Sequence, residues 1–390
     1  MRSPGPIDHP DPGISLESQP LKVRFPGSGP FHGELKRRVD QYFATVATSP
    51  RDAPRMYLKT ALILGTTVGS YLLLMFAPIA GWQAPILAVA LALGMAGIGF
   101  SVQHDANHGG YSRRRWVNNL LSASLDAIGG SSYVWYWKHN IIHHTYTNIS
   151  GVDVDIDLEP FLRLAPDQPL KWHHRYQHLY IWGLYGLLPA NWQFWADYRD
   201  LRNGHIGGQP FPRPGARVLA GTLIGKAFFY TWSLILPLLL HPTLAVLGVY
   251  ALVSATLGIV LTTTFQLAHC VGEADVVTVD ANPAPIATGW AEHQVRTTAN
   301  FAPESRLLTW YLGGLNYQIE HHLFPKVCHV HYPALSPIVA ATCRDFAVPY
   351  QSHPTIGGAV ASHVRWLRRL GTARAPDPTD SLSGGPVLVS

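Results

Sequence analysis

Two stretches of this chain are almost free of charge, and they constrain the fold more than anything else in it. Residues 60–103 contain no Asp, Glu, Lys, Arg or His, and residues 227–268 contain only His241. Each exceeds the roughly 20 apolar residues that one bilayer crossing needs. Each is also broken near its middle, by Pro78, Gly81 and Trp82 in "FAPIAGW" and by Pro237, His241 and Pro242 in "LPLLLHPT". The pattern predicts two helical hairpins, with spans near 58–77, 83–103, 218–240 and 243–268. Helix is the state that lipid permits, because an unpaired peptide group there costs several kcal/mol. The competing reading, buried helices of a large soluble protein, fits poorly with charged residues at only 14% of the chain, against roughly 25% in soluble domains.

Basic residues orient the hairpins. Both tips lack lysine and arginine, whereas Lys36, Arg37, Arg38, Arg51, Arg55, Lys59 and Arg113 to Arg115 flank the opposite ends. By the positive-inside rule those ends and both termini are expected in the cytoplasm. The net charge of +5 suits an anionic membrane face and gives no reason to invoke nucleic acid. The opening "MRSPGPIDHPDPG" has no apolar core after Arg2, so no cleavable signal peptide is expected. Cys270, Cys328 and Cys343 are odd in number and lack C-x-x-C spacing, which predicts reduced structural thiols. Residues 1–35 and 371–390, rich in Pro, Gly, Ser and Asp, read as disordered tails around one domain of residues 36–370.

Histidines gather at the predicted cytoplasmic ends. "GFSVQHDANHGG" closes the second span with His104 and His108 at i and i+4, on one helical face. "KHNIIHHTYTN" then delivers His139, His143 and His144, again with an i, i+4 pair; "FQLAHC" ends the fourth span with His269; and "NYQIEHHLFP" adds His321 and His322. One H-x-x-x-H pair is commonly coincidence, but four stretches converging on one membrane face are not. Imidazole suits zinc, iron, copper and nickel alike. Eight such ligands exceed the four that a structural zinc takes, and with Gln318 three residues before His321 they suit two ions. Two ions there suggest dioxygen activation or hydrolysis.

"HDANH", "HNIIHH" and "QIEHH" resemble the three histidine boxes of the membrane fatty acid desaturases, in that order and with the hairpins where that family has them. The similarity runs over roughly residues 35–370. Gln318 in the third box resembles the front-end desaturases, which insert a double bond between an existing one and the carboxyl end of an acyl chain. "NIIHHTYTNISGVDVDID" and "GGLNYQIEHHLFP" look like the bacterial linoleoyl-CoA or delta-6-type branch. The resemblance implies an all-helical integral membrane protein of four transmembrane helices in two hairpins, with a cytoplasmic helical cap holding a diiron site. Its ligands would be His104, His108, His139, His143, His144, His269, His321 and His322, with Gln318 in the position of a ninth. Two iron ions, dioxygen as co-substrate and an acyl-CoA or acyl-lipid substrate in a bent tunnel are implied with it. The first 50 residues contain "DHPDPG" but no His-Pro-Gly-Gly haem motif, so electrons are expected from a separate ferredoxin or cytochrome b5-type donor. That and the missing targeting peptide favour a bacterial inner membrane. Basic segments such as "YSRRRW" and "RWLRRLG" could dock the donor, touch lipid headgroups or be ordinary positive-inside residues.

Two rivals remain at this stage. A diiron hydroxylase or epoxidase would use the same scaffold, and a histidine-rich metal transporter would need polar residues along a pathway through the bilayer. Apart from Lys59 at the very start of the first, the predicted spans carry only Lys226, near a cytoplasmic edge, which disfavours transport. Other features carry less chemistry. His173, His174 and His178 in "KWHHRYQH" precede "LYIWGLYGLLPANWQFW", which reads as an interfacial helix. Asp153, Asp155 and Asp157 begin like a calcium loop, but Leu158 and Leu164 stand where that loop needs Gly and Glu. Those acids, with Asp105 and Glu320, are expected to accept hydrogen bonds from the outer nitrogens of ligand histidines, or to be merely solvated. Trp135, Tyr136 and Trp137 either line a substrate entrance or anchor the chain at the interface. His293, Trp290, Gln294 and Asn300 form a stretch that in the resembled family lies close to the substrate, and an indirect role is expected of them.

Overall fold

Proline opens both of the first two long helices, where its fixed φ and missing N–H cost nothing. In this computed structural model, which describes residues 23–27, 29–278 and 286–372, α1 is Pro30–Val46 and α2 is Pro54–Phe76. Helix α2 ends where Ala77 turns extended ahead of Pro78, as a residue before proline is forced to do. The chain then returns as α3 (Gln83–Asn107). Residues 132–146 form α4, Gln177–Asn191 forms α5, and Ala216–Leu240 and Thr243–His269 form the second hairpin, α6 and α7. Helices α2, α3, α6 and α7 are long and apolar enough to cross a membrane, and they overlap the four expected spans to within about one helical turn at each end. Their outer faces expose Leu62, Leu72, Phe76, Ile224, Leu239 and Leu244, as lipid-facing surfaces do.

Small residues set how closely the spans pack. A Cβ on Gly94 of α3 would lie 2.4 Å from Thr67 Oγ1 of α2, so glycine is what lets the two backbones approach. Helix α3 then packs on α7 through Ala88, Leu91, Met95, Val253, Leu257 and Leu261, the centre of the apolar core. At the tips, His241 Nε2 donates to Met75 O at 3.1 Å and ties one hairpin to the other.

Two expectations are corrected here. Helix α5 is not confined to the interface: it lies along α7, with Gly186 against Ala255 and Tyr185 O against Gly258, and the chain just beyond it meets Tyr250, whose hydroxyl donates to Gln193 Oε1 at 2.5 Å. Lys226 is not an edge residue: it is the eleventh of the 25 residues of α6 and is 2% exposed. Its Nζ donates to Asp197 Oδ2 at 2.7 Å, to Gly129 O at 2.7 Å and to Trp192 O at 2.8 Å, which is how a charge survives removal from water.

Four further helices, α8 (Trp290–Arg296), α9 (Gln318–Leu323), α10 (Tyr332–Asp345) and α11 (Ile356–Thr372), gather at the histidine-bearing end of the spans. Phe31 and Leu35 of α1 pack there with Ala291, Val295, Ile319, Leu323 and Val339, while Trp366 and Leu367 of α11 reach Ile181 and Tyr185. Val23 is buried against Tyr146, Ile149 and Val152, and α1 starts at Pro30, so both lie inside the stretch read as an N-terminal tail. The rest of that reading, residues 1–22, and nearly all of the C-terminal one, residues 373–390, fall outside the described residues.

Gly258→Ala should therefore destabilise the protein, because its Cβ would sit 2.3 Å from Tyr185 O, and overpacking of this kind costs about 1–3 kcal/mol. The check is the melting temperature of the detergent-solubilised variant, with Gly248→Ala, which meets nothing within 4 Å, expected to melt like the parent.

Candidate metal centre

Backbone winding brings the histidines together. Helix α3 changes from α to π winding over Ile98–Gln103, just before His104–Asn107, and α4 is π-helical over Tyr136–His143. Wider winding of this kind re-aims side chains and recurs at functional sites. Here it pairs His139 with His144 at i and i+5, their Nε2 atoms 3.3 Å apart, in addition to the expected i, i+4 spacing. The third box rides on α9, six residues long. The turn leading to it holds Gly313 and Gly314 at φ 62° and 69°, and a Cβ on Gly313 would lie 2.3 Å from Phe100 O of α3. His269 is the last residue of α7.

All nine sequence-predicted side chains meet, each no more than 5% exposed. Ring nitrogens of His104, His108, His139 and His321 lie within 4.8 Å of one another, and so do those of His143, His269 and His322. His144 sits between these groups: its ring centroid is 4.6 Å from those of His108 and His321 and 4.3 Å from that of His322, on which it stacks. Gln318 belongs to the second group, its amide nitrogen 3.0 Å from His269 Nε2 and 3.3 Å from His322 Nε2. Half a turn of the amide puts its oxygen at the same point.

This geometry suits metal ions. Nε2 of His108, Nε2 of His321 and Oε1 of Gln318 are buried with no hydrogen-bond partner among the described residues, a state that costs about 1–3 kcal/mol per group unless something electropositive is supplied. Hydrogen bonds on the outer side fix the tautomers. His143 Nδ1 donates to Asp153 Oδ2 at 3.0 Å, and His322 Nδ1 donates to Gln294 Oε1 at 2.7 Å, so both Nε2 lone pairs face inward. Asp153 in turn accepts from the Asn148 and Asp155 amides, and Asp155 pairs with Lys138 at 2.8 Å.

Electrostatics keep the rings ready to bind. Burial first, and then the neighbouring imidazoles, push His108, His139, His144, His321 and His322 well below the ordinary histidine range, so they are neutral. His143 moves the other way: burial would lower it, but Asp153 and Asp155 outweigh burial and raise it.

Several expectations sort themselves by position. Asp153 takes the orienting role expected of the acidic stretch. Asp105 holds His329 Nδ1 at 2.9 Å and stands 3.9 Å from His104 Nδ1. Glu320 instead accepts from Asn300 Nδ2 and Tyr350 OH, both at 2.8 Å. Trp135 stacks on His139 at 4.3 Å, whereas Trp137 packs with Tyr133, Ile142 and Phe211. Trp290 Nε1 donates to His144 O at 3.1 Å, and His293 Nε2 to Thr147 O at 2.8 Å. His173 and His174 face Pro160 O, apart from the cluster. Sequence reasoning missed His329 and Lys59: Lys59 is 3% exposed, with Nζ 2.9 Å from His329 Nε2, and in sequence it reads as one more basic flank. Towards the hairpin tips the spans enclose an apolar cavity of about 350 Å³, lined by Leu91, Met95, Phe229, Trp232, Val253 and Leu257 among others.

The family described as "Fatty acid desaturase" matches residues 80–354. The chain is 41% identical to an sn-1 linoleoyl-lipid 6-desaturase of Arthrospira platensis, over 91% of this chain and 96% of that one. It is 38% identical to an sn-1 linoleoyl-lipid 6-desaturase of Synechocystis, over 90% and 98%, and 37% identical to an acyl-lipid (8-3)-desaturase of Physcomitrium patens, over 87% and 72%.

Glu320 supplies a pH signature. Burial raises its carboxyl from 4.5 to about 7 despite the hydrogen bonds from Tyr350 and Asn300. A carboxyl raised on folding is stabilising while protonated, so its contribution is complete below 4.5 and declines as pH rises towards 7. Glu320→Gln should melt above the parent at pH 8, by an equivalent of up to about 3 kcal/mol, and the gap should close near pH 5. Parallel melting curves across that range would contradict the assignment.

Proposed function

This chain belongs to the fatty acid desaturase family, and on that premise we propose that it inserts a front-end double bond into a lipid-linked, already unsaturated acyl chain, using dioxygen and two iron ions. The observation that carries this reading is the pair of nitrogen-lined groups, joined through His144, above an apolar cavity between the membrane hairpins. The relatives' names, linoleoyl-lipid and acyl-lipid desaturases, support the acyl-lipid form of the substrate, and Gln318 in the third box supports the front-end position.

One iron would be held by His104, His108, His139 and His321, the other by His143, His269 and His322 with Gln318, and His144 stands within reach of both. Bound iron would supply dioxygen reduction and removal of two hydrogens from adjacent methylenes, and the protein supplies everything else. Burial of all nine side chains excludes water. Asp153 and Gln294 hold the Nδ1 protons of His143 and His322, leaving Nε2 as the donor atom. Trp135, stacked on His139, forms a flat wall beside the first group, against which a methylene pair can be held in one orientation. The cavity lined by Leu91, Met95 and Leu257 accepts the methyl end of the chain. The domain would comprise residues 36–370, with α1 contributing from Pro30. Its basic, histidine-bearing face would lie in the cytoplasm of a bacterium with the spans in the inner membrane, and electrons would come from a separate ferredoxin or cytochrome b5-type protein.

Gas chromatography of lipids from cells that express the protein and are fed linoleate should reveal a triene with its new double bond at carbon 6. His143→Ala should abolish that product. A hydroxylated chain, or an unchanged lipid profile with two irons bound, would overturn the reading. Gln294→Ala, which releases His322 Nδ1, should weaken iron retention about 10- to 100-fold, read as iron per chain after dialysis against graded chelator. Retention equal to the parent would remove Gln294 from its orienting role.

A further inference from the structure

Desaturation as proposed takes four electrons to convert dioxygen to two waters. Two leave the acyl chain with its two hydrogens, so two more must arrive singly from a carrier, together with two protons from water. Within the described residues, one partly exposed aromatic ring links a water-facing cleft to the histidine cluster. Trp290 lines a cavity of about 410 Å³ with Pro26, Pro30, His32, Phe346 and Val348, and its ring lies 5.8 Å from that of His32. On its inner side Trp290 Nε1–H donates to His144 O at 3.1 Å. His144 is the ring that lies between the two histidine groups, stacked on His322 and against His108 and His321.

Resting on the desaturase reading above, we propose that this cleft docks an acidic one-electron carrier protein and that Trp290 is the inlet through which its electrons reach His144. The route crosses one hydrogen bond and then only the covalent bonds of a single residue, and electron transfer through bonds falls off far less steeply than through gaps. Trp135 also stacks on His139, but it packs against the apolar core of the spans, on the membrane side of the cluster. The charge around the cleft has the right sign. Arg24, Lys36, Arg37, Arg38, Arg296 and Arg344 stand on the segments that form it, against Glu34, Asp40, Glu292 and Asp345. The four carboxylates are taken up by Lys36, Arg37, Arg38 and Arg296. Arg24 and Arg344 are exposed, with no carboxylate partner among the described residues, and so are free to meet acidic groups of the carrier.

The test uses the iron-loaded, detergent-purified full chain and compares turnover driven by a reduced [2Fe–2S] ferredoxin with turnover driven by dithionite-reduced methyl viologen, a small mediator that needs no docking. Trp290→Phe, which keeps a ring but loses the N–H, should lower the ratio of ferredoxin-driven to mediator-driven rate severalfold at unchanged iron content. Arg24→Glu with Arg344→Glu should leave the mediator-driven rate as in the parent and raise the KM for ferredoxin about tenfold at low salt, converging with the parent at high salt. An unchanged ratio and KM in both variants would overturn the proposal, and iron loss in Trp290→Phe with an unchanged ratio would reduce Trp290 to a structural support. A parent protein that turns over with neither reductant would overturn the desaturase reading itself.

Discussion

Nitrogen lone pairs converging in a volume without water are unfavourable unless a cation sits among them, and this molecule arranges eight imidazoles in that way. Everything near the site serves to hold them there. Burial keeps His108, His139, His144, His321 and His322 neutral, Asp153 and Gln294 decide which nitrogen faces inward, and π winding in α3 and α4 sets the angle of approach. A cluster of this kind would be costly in an isolated protein, and a bound cation would offset that cost. Two groups, rather than one large one, follow from where the histidines are anchored. His104 and His108 leave α3 together and meet His139 and His321, while His269 at the end of α7 meets His143 and His322.

The membrane helices are the frame for that convergence. Glycine at positions 94 and 258 lets α3 approach α2 and α5 approach α7, and apolar packing of α3 on α7 holds their histidine-bearing ends side by side. The same hairpins leave an apolar cavity on the far side of the cluster. On the proposed function, the methyl end of a lipid-linked chain occupies that cavity and the electron carrier approaches from the opposite, charged side. Lys226, buried with Asp197 beside Gly129 and Trp192, ties α6 to the segments that flank the cavity.

The spans were legible in the sequence because lipid imposes length and apolarity directly, and the convergence of the eight histidines with Gln318 was legible because it repeats residue types and spacings that suit ligands. What escaped was what depends on contacts between distant segments. Nothing in "LYIWGLYGLLPANWQFW" shows that Gly186 faces Ala255, so an amphipathic aromatic stretch looks interfacial when it in fact lies along a span. Lys59 pairs with His329, 270 residues away, and by itself resembles any basic residue at a membrane edge. The π winding of 136–143 leaves no compositional trace, since it is set by what packs around it. Glu320, embedded in a box, looked like an orienting acid but turns towards Asn300 and Tyr350.

On the proposed function, the nine side chains form two metal positions rather than one. Anomalous diffraction from crystals of the iron-loaded protein, collected on both sides of the iron edge, addresses this directly. Two iron peaks are expected, one surrounded by His104, His108, His139 and His321 and the other by His143, His269 and His322 with Gln318 beside it. A single peak, or a second one away from Gln318 and His269, would contradict this arrangement.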